Sequence, residues 1–259
     1  MSAKMPRRPL GATGLTVSLL GLGTVKFGRR TGVRYPHPFE LPDDDRAGRL
    51  LDHARALGVN LLDTAPAYGE AEARLGRLLA GRRSDFVLCS KAGETWDGER
   101  SRFDFSGPAV TASVHGSLRR LRTDHLDCVL IHSDGRDAEI VRDGAALAAL
   151  EALRDRGDIR SFGLSAKSAR GARAALGRVD VLMITLAPDD PDECTLAREA
   201  ARQGCGILVK KALDSGHATA PAVALARLGA CDAVSSVVVG TLDEAHLTAN
   251  ATALARADD

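Results

Sequence analysis

Short apolar runs and longer amphipathic runs alternate eight times along this chain. The short runs occupy 17–21, 60–63, 86–90, 126–131, 160–165, 181–185, 206–210 and 233–239. The long ones repeat apolar residues at helical spacing and occupy 43–57, 70–80, 108–121, 143–156, 168–176, 191–203, 219–228 and 243–256. Spread over 259 residues, eight strand–helix units have about 32 residues each, the size of a parallel βαβ repeat. A closed (β/α)8 barrel typically takes about 250 residues. The runs at 126–131, 181–184 and 206–209 are mostly apolar, as strands covered on both faces must be. A doubly wound open sheet fits less well. Its first turn would be glycine-rich, and Gly21-Leu22-Gly23-Thr24-Val25-Lys26 has Lys26 where a dinucleotide fingerprint needs a third glycine. The expected fold is therefore α/β, a TIM barrel, with one domain over residues 1–259.

Local signals support these cuts. Asp43, Asp44 and Asp45 suit the positive start of the first helix, and Gly58 suits its end. Residues 8–16 precede the first barrel strand and read as a short β-hairpin turning at Gly11 and Gly14, placed to plug the bottom of the barrel.

Composition bounds the partners. A net charge of +1 gives no field for nucleic acid or an acidic membrane. No stretch approaches the roughly 18 apolar residues of a membrane helix, and the N-terminal segment has no apolar signal core. The expectation is a cytoplasmic protein, monomeric or homo-oligomeric, that meets small molecules. Cys89, Cys128, Cys194, Cys205 and Cys231 are scattered without zinc-type spacing, and no two histidines have a ligand spacing. No metal site is expected, and most of the cysteines read as small buried hydrophobes.

The chain has one Trp, two Tyr and six Phe, and their places matter more than their scarcity. Phe27, Tyr35 and Phe39 fall in the loop 25–43. Trp96, Phe103 and Phe105 fall in the loop 92–107. Loops on a rigid scaffold carry binding residues, so these two segments, which also hold Arg29, Arg30, Arg34, Arg100 and Arg102, are candidate pocket walls. Phe27 and Trp96 are the candidate substrate contacts.

Barrel function sits at the C-terminal ends of strands. There the sequence places Asp63, with Tyr68 five residues on, Lys91, His132 and Ser165: an acid, a phenol, an ammonium, an imidazole and a hydroxyl on one face.

In these places the sequence resembles the aldo-keto reductase family. The resemblance rests on LGLGT at 20–24, GVNLLDTAPAYGEAEARLG at 58–76 and CSKAG at 89–93. It continues in SLRRLRTDHLDCVLIHSDG at 117–135, LRDRGDIRSFGLSAKS at 153–168 and VVVGTLDEAHLTAN at 237–250. It implies a nicotinamide-dependent oxidoreductase that reduces an aldehyde or ketone to an alcohol, or the reverse. The family's tetrad falls on Asp63, Tyr68, Lys91 and His132. A phenol is a weak acid, with a pKa of about 10, and a neighbouring ammonium makes its proton easier to give. Tyr68 is then the proton donor, Lys91 its charge partner and Asp63 the anchor of Lys91. His132, neutral, would hydrogen-bond the carbonyl oxygen and orient the substrate.

The resemblance also implies cofactor contacts at Gly23, Thr24, Asp63, Ser165, Gly240, Thr241 and Asn250. Three places depart from the family's pattern. Ala166 stands where an asparagine usually follows the serine, and Met183 stands where strand six usually carries glutamine. Lys210 or Lys211 replaces the aromatic that stacks on the nicotinamide. Either lysine could meet a phosphate or a carboxylate instead. NADPH is the cofactor expected from the family's habit, and NADH stays open, because the positions that read the 2′-phosphate hold Thr241 and His246, and a neutral histidine is a weak phosphate partner. Thinned nicotinamide anchors imply weaker nucleotide binding than in a full-pattern member. Many members close the pocket with a segment beyond the last helix. Here the sequence ends nine residues after Asn250, so the expectation is that the two aromatic loops wall the pocket or that it is left open. Two other readings use the same fold: a non-catalytic nucleotide-binding regulator, and a redox-neutral enzyme that reuses the tetrad.

Overall fold

The computed structural model describes residues 5–187 and 190–255. Strands β1 (Arg7–Pro9) and β2 (Thr16–Ser18) form an antiparallel hairpin. Strands β3 (Leu20–Gly23), β4 (Leu61–Asp63) and β5 (Val87–Ala92) begin the barrel. A second antiparallel hairpin follows, β6 (Glu94–Trp96) with β7 (Ser101–Phe103). The barrel resumes with β8 (Leu126–His132), β9 (Ile159–Ser165), β10 (Val181–Ile184), β11 (Gly206–Val209) and β12 (Ser236–Val239). All eight barrel strands run parallel, and β12 pairs with β3 to close the ring. The chain is thus a (β/α)8 barrel with an N-terminal hairpin.

The outer layer is built from α1 (Asp44–Ala56), α2 (Ala71–Leu78), α3 (Gly107–Leu121), α4 (Asp137–Asp143) and α5 (Ala145–Asp155). It is completed by α6 (Ala169–Ala175), α7 (Pro191–Arg202), α8 (Pro221–Gly229) and α9 (Glu244–Ala255). Asp43 caps α1, its carboxylate accepting the Arg46 N–H at 2.7 Å, as the acidic run predicts. Where a single helix is expected over 143–156, the helical region is longer and broken at Gly144, which takes φ +78 and ends α4. The first barrel strand begins three residues later than the apolar run, because Thr16–Ser18 pairs into the hairpin. Residue 256, the expected end of the last helix, lies outside the described residues.

Two cores follow from the strand period of two. Residues pointing into the barrel, among them Leu61, Cys89, Cys128, Leu130, Met183 and Leu208, form the inner core. Leu10, at the tip of the hairpin, is fully buried in that cluster and seals the lower end, which is the plug read from the sequence. Outward residues such as Leu62, Leu88, Val129 and Leu164 meet the helices in a larger shell. The inner core needs no rings, which explains how a chain with 3% aromatics fills a barrel. Cys89, Cys128 and Cys205 are buried, whereas Cys194 and Cys231 are half-buried, and none of the five is in a disulfide.

Candidate active site

Strand register brings the polar residues to one rim. Asp63 ends β4, level with Gly23 on one side and Cys89 on the other. Lys91 lies two residues beyond Cys89 on β5, so both face inward. Ser90, between them, faces outward, where its hydroxyl donates to Glu72 on α2 at 2.6 Å. The Lys91 ammonium donates to Asp63 Oδ1 at 2.5 Å and to the Thr64 carbonyl at 3.0 Å. The two side chains are only 1% and 6% exposed. Burial alone would drive Lys91 down. Asp63, with the Tyr68 phenol and Cys89 adding to it, outweighs that and holds its pKa above the usual lysine value.

Tyr68 ends a single 3-10 turn, Pro66–Tyr68, just after β4. Its backbone is locked to the loop after β3 by two glycines. A Cβ at Gly69 would sit 2.3 Å from the Gly28 carbonyl, and one at Gly28 would sit 2.4 Å from the Tyr68 carbonyl. Lys91 Nζ stands 4.8 Å from the Tyr68 ring centroid. The His132 ring meets Tyr68 edge-on, with centroids 6.2 Å apart. Burial pushes the Tyr68 phenol above its usual range, and Lys91 offsets that only in part. The phenol is therefore protonated at neutral pH and holds a proton to give. Burial, with Lys91 and Lys210 nearby, lowers His132 below its usual value despite Glu94.

Glu94 escapes the sequence reading. It starts β6, is 8% exposed, and sets Oε2 2.7 Å from His132 Nδ1. Ser101 donates to its Oε1 at 2.5 Å, and Arg29 Nη1 lies 3.9 Å from the same oxygen. Burial works against the charge of Glu94. His132, Ser101 and Arg29 together hold its pKa down at about 2. The signal was present in the sequence: Asp97-Gly98 between Glu94-Thr95-Trp96 and Ser101-Arg102-Phe103 is a hairpin turn.

On the other side of the mouth, Ser165 ends β9 level with His132 and Met183. Met183 is fully packed in the inner core. Lys210 follows β11 directly, turns inward and donates to Ser165 Oγ at 2.8 Å. Lys211, at φ +55, is exposed. The geometry thus separates the lysine pair: Lys210 faces the site and Lys211 faces solvent. Burial, then Lys211 and Lys91, lower Lys210 from 10.5 to about 7. Between those values the unfolded chain holds a proton that the folded chain lacks, so this group adds stability as pH rises from about 7 to 10.5. Below pH 7 the full cost of a buried ammonium is present. Lys210→Met is expected to raise stability most at pH 6, with the gain shrinking by pH 9. Urea midpoints of both proteins at the two pH values check this.

Thr24 braces the strand end: its N–H and its hydroxyl both donate to the Asp63 carbonyl at 2.9 Å. After β12, Thr241 Oγ1 accepts the Asp243 N–H at 3.0 Å, and Asp243 Oδ1 accepts the His246 N–H at 3.0 Å, capping α9. Asn250 is buried on that helix. Gly23 and Gly240 form a bare seam: a Cβ on Gly240 would lie 3.4 Å from the Gly23 carbonyl and 2.9 Å from the Tyr35 hydroxyl. Tyr35 therefore reaches from the loop after β3 across to the end of β12. It passes under Lys26, whose Nζ is 4.0 Å from the ring centroid. His217 Nε2 lies 3.2 Å from the Arg34 carbonyl, linking the same loop to the segment after β11.

The aromatic loops need two corrections. Phe27 is fully buried in the shell beneath its own turn and offers a substrate nothing. Four of the five loop arginines already have acidic partners. Arg29 lies near Glu94 and stacks 3.5 Å over the Trp96 ring. Arg30 pairs with Glu40, and both Arg100 and Arg102 pair with Asp97. Trp96 remains half-exposed at the edge of the site. Among the described residues, no group of three or more His, Cys, Asp or Glu could hold a metal, and no helix is long and apolar enough to cross a membrane.

Residues 19–188 match the family model described as the Aldo/keto reductase family. This chain belongs to the aldo-keto reductases. Its fold is similar to that of a Pseudomonas aeruginosa protein assigned to the same family, with 43% identity, TM-score 0.89, and 98% and 95% of the two chains covered. An uncharacterized oxidoreductase of Bacillus subtilis is 33% identical over 165 residues, 62% of this aldo-keto reductase and 49% of that protein. The NADH-specific methylglyoxal reductase of Escherichia coli is 30% identical over 196 residues, 69% of this chain and 58% of that one. The chain spans about half the length of the first curated relatives it matches.

Proposed function

We propose that this aldo-keto reductase moves hydride between a nicotinamide dinucleotide and a small carbonyl compound or its alcohol, with Tyr68 as proton donor. One observation carries the proposal: the buried Lys91 ammonium, 2.5 Å from Asp63 and 4.8 Å from the Tyr68 ring, beside His132 at the barrel mouth. The Gly23–Gly240 seam, which carries no side chain of its own and is reached by the Tyr35 hydroxyl, and the inward Lys210 and Ser165 suit a long anionic, amide-bearing ligand. Gly23, Asp63, Ser165, Lys210, Gly240, Thr241 and Asn250 would surround it, with Lys211 at the edge and the buried Thr24 and Met183 packed behind them. Bound there, the nicotinamide supplies or takes the hydride.

The chain's own residues supply the rest. Tyr68 gives its hydroxyl proton to the carbonyl oxygen as charge builds there. Lys91 stabilises the phenolate left behind, and Asp63 keeps Lys91 charged and aimed. General acid catalysis of this kind is worth roughly a hundred- to ten-thousandfold. His132 and Trp96 hold the substrate. NADPH and NADH are both candidate cofactors: a relative 30% identical over 196 residues is NADH-specific, and Thr241 carries no charge for a 2′-phosphate.

A second reading is a nucleotide-binding regulator. The Lys210–Ser165 hydrogen bond supports it, since it engages the serine expected to hold the carboxamide. Oxidation of NADH and NADPH with a panel of aldehydes and ketones separates the two. Turnover with any of them supports the enzyme. Tight nucleotide binding without turnover on any carbonyl would leave the regulator.

A further inference from the structure

The two inward lysines of the barrel mouth differ in what answers their charge. Lys91 is held as an ammonium by Asp63 at 2.5 Å. Lys210 has a neutral partner instead, the Ser165 hydroxyl, to which Nζ donates at 2.8 Å. Its side chain is half-buried, so a small molecule in the mouth can still touch it. The charges around it are mostly of its own sign. Lys211 stands next in the chain, Lys91 lies on β5, and Lys167 follows β9. His132, at the end of β8, feels Lys210 in turn. The acid that acts on Lys210 is Asp137 at the start of α4, and its carboxylate is already engaged. It accepts the Lys167 N–H at 3.1 Å and the Ser168 hydroxyl at 2.7 Å. Among the described residues, no carboxylate forms an ion pair with Lys210, Lys211, Lys167 or Arg34. Burial and like charges both favour the neutral amine, in keeping with a pKa of about 7. A neutral amine has an electron pair to share, and an ammonium has none.

We infer that Lys210 is a covalent site for small aldehydes that carry a carboxylate: its amine forms an imine with the aldehyde carbon, and Lys167, Lys211 and Arg34 draw in the anionic end. In that step the Nζ electron pair makes the new C–N bond and the carbonyl double bond breaks. Both amine hydrogens leave with the oxygen as one water. No oxidant or reductant is consumed, and water reverses the step. The anionic class follows from the field. Lys211 lies near both Arg34 and Lys167, so positive charge remains around Nζ once Lys210 itself is uncharged. Lys91 cannot compete for the aldehyde, because Asp63 keeps it protonated. The activity needs no nucleotide and does not depend on hydride transfer.

The test uses the full chain without nucleotide, at pH 7, with glyoxylate as the probe and cyanoborohydride to reduce any imine to a stable amine. Peptide mass spectrometry then reads each lysine, and fragment ions tell Lys210 from Lys211. Lys210 is expected to gain a carboxymethyl group about tenfold faster than its exposed neighbour Lys211, because more of it is neutral at that pH. Lys210 left unmarked, or marked no faster than Lys211, overturns the imine site. Acetaldehyde, which has no carboxylate, is the uncharged probe. In Lys167→Gln the ratio of glyoxylate to acetaldehyde labelling at Lys210 should fall about threefold, the worth of one exposed ion pair. An unchanged ratio overturns the preference for a carboxylate. If Lys167→Gln does not fold, the same ratio in wild type at low and high salt reads the attraction: a fall with salt is expected, and a constant ratio overturns it.

Discussion

Tyr68→Phe should lower carbonyl reduction by about a thousandfold and leave nucleotide affinity unchanged within about twofold. The substitution removes one oxygen and keeps the ring that meets His132 edge-on at 6.2 Å. Lys91 keeps its bonds to Asp63 and Thr64, so the buried pair survives. The lost group is therefore the proton that neutralises the developing alkoxide. In a step that needs that proton, the loss falls on kcat and kcat/KM together, with little change in KM. Steady-state kinetics beside a nucleotide titration separate the two quantities. Turnover like that of wild type would remove Tyr68 from the acid role.

Lys91→Met should be damaging in two ways. It strips the phenol of its charge partner, and it strands the Asp63 carboxylate, which is 4% exposed. Breaking a buried pair from one side costs about 3–5 kcal/mol, a drop of roughly 10 °C in Tm for a chain of this size. Asp63→Asn alone leaves an unpaired buried ammonium and should cost a similar amount. The double variant Lys91→Met with Asp63→Asn leaves neither charge. It should recover to within about 1–2 kcal/mol of wild type while staying inactive. Denaturant unfolding of the four proteins completes the cycle. Equal losses in the single and double variants would mean that the pair is not a coupled unit.

Much of this was legible because it rests on period and spacing. Apolar runs without alternation mark strands covered on both faces, and one such run for each helix leaves a closed ring as the simplest arrangement. Asp63 and Lys91 could be placed on the rim from strand ends alone, because each ends an apolar run. What escaped depends on loops crossing one another. Phe27 looks like a wall residue in a loop, yet its one-turn helix folds it into the shell. Glu94 reads as one more loop acid until the 94–103 hairpin turns it onto His132. Lys210 and Lys211 are equivalent on paper. The left-handed backbone at Lys211 parts them, sending one to Ser165 and the other to solvent. The reach of Tyr35 to Gly240 joins residues about 200 apart in sequence, and no local pattern encodes such a contact.

The central claim is hydride transfer at this barrel mouth, and isotope transfer tests it most directly. The protein would be incubated with reduced nicotinamide dinucleotide carrying deuterium at the transferable position and with a carbonyl substrate, and the product analysed by mass spectrometry. One deuterium on the former carbonyl carbon of each alcohol formed, with the rate of alcohol formation falling about a thousandfold in Tyr68→Phe, is the predicted result. Bound nucleotide with no deuterium in any product, or a product at the oxidation level of the substrate, would contradict it.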